Sequence, residues 1–246
     1  MEKIKFKALK HSSLIEDVCR NGMPADAEVI YSGRNTLYIV RDSDGTEVCV
    51  KDFHIPKFPN SFVYTTLRKS KAERSFNNAI QLGKLGFGTP EPYGYGEVKV
   101  NGALTRSYYF CHAERDLETI REWDRFPFVE DLLTALAKEM VRLHSAGVFM
   151  RDFSPGNILF RRDGKGGFSF SYVDLNRMEF GVFSPQKQMR NFRAIYIEPR
   201  QTARIAEKYA IATGRNPEEF KRLALRELEK YFAEKRRNGR LKKLFR

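Results

Sequence analysis

The stretch 128–160 constrains this chain more than any other. "FVEDLLTALAKEMVRLHSAGV" sets Val129, Leu132, Leu133, Leu136, Met140 and Leu143 on one stripe at helical spacing, and Gly147 ends it. "VFMRDFSPGNILF" follows at once. It holds Asp152, then Asn157 five residues on, then the apolar run Ile158-Leu159-Phe160. Helix, polar turn and strand in succession imply a mixed α+β chain. The turn is either a surface loop or a catalytic loop for phosphoryl transfer. D-x-x-x-x-N alone is too common to decide, so the flanking sequence must.

The first half reads as β. "EVIYS", "TLYIVR" and "TEVCVKDF" are three strands, rich in Val, Ile, Thr and Tyr, separated by Gly33-Arg34-Asn35 and by Asp42-Ser43-Asp44-Gly45. Ser70-x-x-Glu73 is a capping box that opens a helix stopped at Gly86. "YGYGEVKV" and "ALTRSYYFCHA" flank Asn101-Gly102, a type I′ hairpin signal. The sum is an antiparallel five-stranded sheet with one helix. "SSLIEDVCRNG" is read as a short helix capped by Ser12 or Ser13 and ending at Gly22. After residue 114 the pattern is mainly helical, with a small hairpin around Asp163–Gly167 and a last helix from Asn216-Pro217-Glu218-Glu219. The expected organisation is an N-terminal extension over 1–26, a first lobe over 27–113, and a second over 114–246 with a basic tail.

The chain's 246 residues can bury a sizeable core, and with 41% hydrophobic residues it is not disordered. No apolar run approaches the ~20 residues that span a bilayer. The N-terminus lacks a continuous apolar core and a cleavage site, so the chain is assigned to the cytoplasm. Cys19, Cys49 and Cys111 have no metal-ligand spacing and are read as free thiols. His54, His112 and His144 are isolated, without zinc spacing, and are read as ordinary core or surface histidines. No G-x-S-x-G elbow points to a serine hydrolase. The net charge of +13 suggests an anionic partner. The tail "EKRRNGRLKKLFR", with Leu241, Leu244 and Phe245 among its cations, fits an anionic membrane surface and, almost as well, RNA.

Phosphoryl transfer from ATP needs a cation on the phosphates, oxygen ligands for Mg²⁺, a carboxylate for the attacking hydroxyl, and a covering loop. Lys51 ends the third strand, on the same face as Cys49, where it could pair the phosphates with Cys49 beside the adenine. Glu73 on the following helix could aim Lys51, although it already serves a capping box. Asp152 could accept the hydroxyl's proton. Asn157 and Asp174, in "YVDLN", offer oxygens to one metal ion. Singly, each has a bland alternative: a solvated lysine, a cap, turn residues. Their order on these elements favours the chemistry.

At these residues the chain resembles the protein-kinase-like superfamily. "MRDFSPGN" is similar to H-R-D-L-x-x-x-N, "VCVK" to V-A-I-K, and "VDLN" stands where D-F-G would be. The resemblance implies a two-lobed kinase fold with a shortened, mainly helical second lobe, and ATP and Mg²⁺ as cofactors. It makes Asp152 the catalytic carboxylate, Asn157 and Asp174 the metal ligands, and Lys51 and Glu73 an ion pair. Leu159 would floor the adenine site, and Gly33, Arg34 and Asn35 would cover the phosphates. Met150 replaces the histidine, Leu175-Asn176 replace Phe-Gly, only one glycine marks the first loop, and no A-P-E segment follows.

"RDFSPGNILF" with "YVDLNRMEFG" most resembles the bacterial lipopolysaccharide kinases, which phosphorylate Kdo (3-deoxy-D-manno-octulosonic acid) or heptose in the inner core of lipid A glycolipids. That implies an anionic glycolipid acceptor and a peripheral place at the cytoplasmic face of the inner membrane, with no DNA partner. Arg177, Arg190 or Arg193 would hold the acceptor's anionic groups. Two alternatives remain: a compact atypical (RIO-like) serine kinase acting on a ribosome-associated protein, and a pseudokinase binding module.

Overall fold

A computed structural model describes residues 1–55, 69–195 and 198–237. The chain divides into two compact units. The first holds Met1–Asp116 together with Asp174–Asn176; the second holds Leu117–Val173 and the chain from Arg177 on.

The first unit is built on an antiparallel sheet. Its strands are β1 (Glu2–Ala8), β2 (Glu28–Ser32), β3 (Thr36–Arg41), β4 (Glu47–Asp52), β5 (Pro92–Val100) and β6 (Ala103–His112), in the order β1-β5-β6-β4-β3-β2. The five expected strands all form, and a sixth, β1, joins them at the edge. Within residues 1–26, read as an extension, Glu2–Ala8 pair into the same sheet, from Glu2↔Val100 to Ala8↔Gly94. Strand β1 alternates lysines with Ile4, Phe6 and Ala8, a period of two that suits a half-covered sheet edge. At the β5–β6 turn Asn101 and Gly102 both take positive φ (51° and 82°), as a type I′ turn demands.

Two helices cover the sheet. Helix α1 (Ser12–Asn21) sets Ile15, Val18 and Cys19 against Val48, Val50, Val98, Tyr108 and Phe110 in one buried cluster. Gly22, at φ 88°, closes α1 as expected. Its N-cap is His11 in the left-handed region, without a side-chain cap bond, and not Ser12 or Ser13. Gly94 and Gly96 make room for this layer. A Cβ on Gly96 would lie 2.1 Å from Cys19 Sγ, and one on Gly94 would lie 2.4 Å from the Lys7 carbonyl oxygen. Helix α2 (Lys71–Lys84) lies on the other face, with Phe76 at 5.5 Å from the Tyr95 ring. The Ser70 half of its capping box forms: Glu73 N donates to Ser70 Oγ at 3.0 Å, while the Glu73 carboxylate turns to lysines instead.

The second unit is mainly helical. Helices α3 (Val129–Ser145), α4 (Pro185–Ala194), α5 (Pro199–Ala212) and α6 (Pro217–Arg237) bury Leu132, Leu136, Met140, Phe192, Ile205, Tyr209 and Phe220. Asn216 Oδ1 caps α6 by accepting from Glu219 N at 2.9 Å. Two small sheets accompany the helices. One orders β10 (Phe168–Tyr172), β9 (Ile158–Arg162) and β7 (Glu118–Thr119); the other pairs β11 (Met178–Phe180) with β8 (Val148–Met150). No helix of the described residues is long and apolar enough to cross a membrane. The tail residues Leu241, Leu244 and Phe245 lie outside the described residues.

Candidate active site

Strand β4 positions Lys51. Alternation turns Val48 and Val50 into the α1 core and leaves Cys49 and Lys51 on the opposite face. Lys51 Nζ donates to Asp174 Oδ1 at 2.6 Å, and the ammonium stands 5.2 Å from the Phe53 ring centre. Asn176 Nδ2 donates to the same oxygen at 2.7 Å. Asp174 itself takes φ 59°, a left-handed backbone uncommon for any residue but glycine. Asn78 Nδ2, from α2, donates to the Leu175 carbonyl at 2.7 Å, and Leu175 and Asn176 are buried. The "DLN" segment is therefore tied to both β4 and α2 within the first unit.

The structure does not bring Lys51 and Glu73 together. The Glu73 carboxylate receives Lys5 Nζ at 3.0 Å, with Lys69 at 3.9 Å. Strand β1 supplies this competing cation. Burial works against the Lys5 charge, but its hydrogen bond to Glu73 and the field of Glu97 outweigh that and raise its pKa. Cys49 faces Cys111 across the β4–β6 ladder, and neither is in a disulfide. The Cys111 thiol and the Lys51 charge draw Cys49 below the ordinary thiol range; the same contact, with burial, holds Cys111 well above it. In the β2–β3 turn, Gly33 N donates to Asn35 O at 3.1 Å, Arg34 is exposed, and Asn35 Oδ1 is buried with no hydrogen-bond donor among the described residues.

The second unit carries Asp152 in a turn braced by its own polar groups. The Asp152 carbonyl accepts from Ser154 N at 2.7 Å and from Asn157 Nδ2 at 2.9 Å. Val173 N donates to the Asn157 carbonyl at 3.1 Å. Phe153, fully buried, anchors the turn, and Leu159 sits half-buried on β9 between Thr119 and Ser171. The Asp152 carboxylate is paired with Arg177: Nη1 donates to Oδ1 at 3.3 Å, and Nε lies 3.2 Å from Oδ2. Of the other two arginines expected near an acceptor, Arg193 pairs with Glu234 and Arg190 is exposed.

A buried relay holds the strand before Asp152, and sequence reasoning missed it. Asn191 Nδ2 donates to the Met150 carbonyl at 2.8 Å, so Asn191 Oδ1 must accept from His144 Nε2, at 2.8 Å. His144 Nδ1 then accepts from the Tyr209 hydroxyl at 2.9 Å. Burial pushes the His144 pKa down, which favours this neutral tautomer. Asn78 was missed as well. Its one signal was a pair of asparagines inside an amphipathic helix, where asparagine is a poor helix former.

A model of the lipopolysaccharide kinase (Kdo/WaaP) family matches residues 33–222. The chain belongs to the lipopolysaccharide kinase (Kdo/WaaP) family. This lipopolysaccharide kinase is accordingly a phosphotransferase for a core sugar, and its family implies ATP and a divalent metal. No curated protein matches its sequence. Solved structures agree on a protein-kinase-like fold. "WaaP in complex with acyl carrier protein" is similar over 98% of this chain and 100% of that one, with a TM-score of 0.58 and 17% identity. The Rio2 kinase–ADP/Mg²⁺–phosphoaspartate complex from Chaetomium thermophilum is similar over 92% and 75%, with a TM-score of 0.53 and 16% identity. The amicoumacin kinase hAmiN, in complex with AMP-PNP, Ca²⁺ and Ami, gives 82% and 80%, 0.54 and 9%.

Proposed function

We propose that the chain transfers the γ-phosphate of ATP, with Mg²⁺ as the metal, to a hydroxyl of Kdo or heptose in the lipopolysaccharide core. The braced Asp152 turn carries this reading. Its carbonyl is held from two sides while its carboxylate projects, 30% exposed, with only a side chain to displace. Asp152 orients the sugar hydroxyl and takes its proton as the oxygen attacks phosphorus.

The remaining residues divide the other tasks. Lys51 holds phosphate oxygens by direct charge, and its 2.6 Å contact with Asp174 keeps its ammonium aimed beforehand. Asn157 and Asp174 would hold Mg²⁺. Both offer hard oxygen donors, and the Asn157 amide already spends its nitrogen on the Asp152 carbonyl, which leaves Oδ1 for a cation. The metal, when bound, neutralises the phosphate charge that develops in transfer. Leu159 and Cys49 would contact the adenine, Gly33, Arg34 and Asn35 would cover the phosphates, and Glu73 would exchange Lys5 for Lys51. The +13 charge and the basic end of α6, at Lys235, Arg236 and Arg237, support work at an anionic membrane face.

The test is transfer of labelled γ-phosphate from ATP to a Kdo-bearing lipid A precursor, with wild type beside Asp152→Asn. Transfer by the wild type alone supports the reading. A folded wild type that binds ATP but labels no core glycolipid would discard it.

A further inference from the structure

We infer that Arg177 is a specificity-determining residue, which masks Asp152 until an anionic group on the acceptor draws the guanidinium away. The inference rests on the phosphotransfer reading above and adds how the acceptor is recognised.

Three observations converge on Arg177. The segment Asp152-Phe153-Ser154-Pro155-Gly156-Asn157 contains no cation, so the charge that balances Asp152 comes from outside the turn. It comes from Arg177 because β11 pairs with β8 at Met178↔Met150, which carries Arg177 alongside the start of that turn. The backbone there is fixed by buried Asn176 and Met178, while the Arg177 side chain is 45% exposed. The guanidinium can therefore swing without moving the fold.

The pair engages both carboxylate oxygens, one by a hydrogen bond and one by the close approach of Nε. A hydroxyl arriving alone meets a carboxylate whose two oxygens already face the guanidinium and must compete with it. An ion pair this exposed contributes no more than about 1 kcal/mol, so a carboxylate or phosphate on the acceptor can capture Arg177 at small cost. Asp152 is then free to accept from the neighbouring hydroxyl. The hydroxyl oxygen forms its bond to the γ-phosphorus, the bond from that phosphorus to the β,γ-bridging oxygen breaks, ADP leaves, and the proton passes to Asp152. Water, which brings no anionic group, does not lift the mask.

The experiment compares wild type, Arg177→Gln and Arg177→Lys on three acceptors: the Kdo-bearing lipid A precursor, its carboxylate methyl ester, and its dephosphorylated form. ADP release without any acceptor is measured in parallel, with Asp152→Asn as control. In the wild type, removing the recognised anion should lower kcat/KM about 10- to 100-fold, the range for losing one charged hydrogen bond. The ester and the dephosphorylated form tell which anion is recognised. In Arg177→Gln that discrimination should collapse towards unity with KM for ATP unchanged, and acceptor-free ADP release should rise several-fold in an Asp152-dependent way. Arg177→Lys should keep part of the discrimination. Undiminished discrimination in Arg177→Gln overturns the inference while leaving the glycolipid kinase intact. If no glycolipid is phosphorylated, the function proposed above fails instead, and acceptor-free release decides for Arg177: an increase supports the mask, and no increase overturns it.

Discussion

The Lys51 ammonium lies 2.6 Å from the Asp174 carboxylate, across 123 residues of sequence, and both side chains are largely shielded. A strand lysine and a left-handed aspartate thus hold each other in place. Asp174→Ala removes the partner of Lys51 and, with it, the carboxylate proposed to hold the metal. Nucleotide affinity in the variant should fall at least about 10-fold with Mg²⁺ present and should no longer depend on Mg²⁺. Titration calorimetry with and without the metal reads both effects. A Mg²⁺ dependence equal to wild type would take Asp174 out of the metal site.

Glu73 has two cations in prospect, and the structure gives it Lys5. That pair is half open to solvent, so Lys5→Ala should change stability by less than about 0.5 kcal/mol and leave KM for ATP alone. On the proposed exchange of Lys5 for Lys51, Glu73→Gln should raise KM for ATP several-fold. Steady-state kinetics of both variants decide the point. An unchanged KM in Glu73→Gln restricts Glu73 to its pair with Lys5 and to its place in the Ser70 cap.

His144 makes the fold sensitive to acid. Its pKa is lowered below 6.5 by burial, so the unfolded chain takes up a proton more readily than the folded one. Its contribution is therefore complete above about pH 6.5 and is lost as the pH falls below that, at no more than about 1.4 kcal/mol per pH unit. Urea unfolding between pH 5 and 7.5 should show this slope in wild type and less of it in His144→Gln. Asn191→Ala, which frees the Met150 carbonyl, should lower kcat roughly 10-fold through a looser Asp152 turn, with KM for ATP little changed. Parallel pH slopes for wild type and His144→Gln would contradict the assignment.

Gly96 is a packing residue. Its substitution by alanine drives a methyl group into Cys19 Sγ and should cost about 1–3 kcal/mol. Cys19→Gly in the same chain should restore part of the loss, because it removes the obstructing atom. Melting temperatures of the two single variants and the double variant test this. Purely additive losses would show that the two sites do not touch. Burial raises the Cys19 thiol to about 11, so it should also resist thiol reagents until the protein unfolds.

Truncation after Ala233 removes the basic cluster at the chain's end. Binding to anionic vesicles should weaken by at least about 10-fold, since each cation near such a surface contributes about 1 kcal/mol. ATP affinity should be nearly unchanged. Vesicle co-sedimentation at two salt concentrations checks the expectation, and equal binding by the truncated chain would discard a membrane role for the tail.

What the sequence made legible was local. The Asn101-Gly102 turn, the Ser70 cap and the α3 stripe depend on neighbours within a few residues, and each formed as read. The order of Lys51, Asp152, Asn157 and Asp174 was legible because each falls at the end of an element or in a turn that the pattern marks. The choice of partners was not. Glu73 goes to Lys5 because β1 runs beside β5, a pairing of strands far apart in sequence that no period reveals. Arg177 was picked out as a ligand for anions, and the anion it holds is Asp152. His144 looked ordinary because its two partners lie 47 and 65 residues away.

Strand β1 also acts as a guard. It occupies the edge of β5 over seven consecutive register positions and, with α1, fills the hollow above Gly94 and Gly96. Trimming the chain at residue 27 would bare a ready template for strand addition, next to an apolar trough with no side chains to fill it. Such a shortened kinase would self-associate before its catalytic groups could be assayed. The lysines spaced along β1 show how the intact chain avoids that fate: they place charge along the edge where a second copy would otherwise dock.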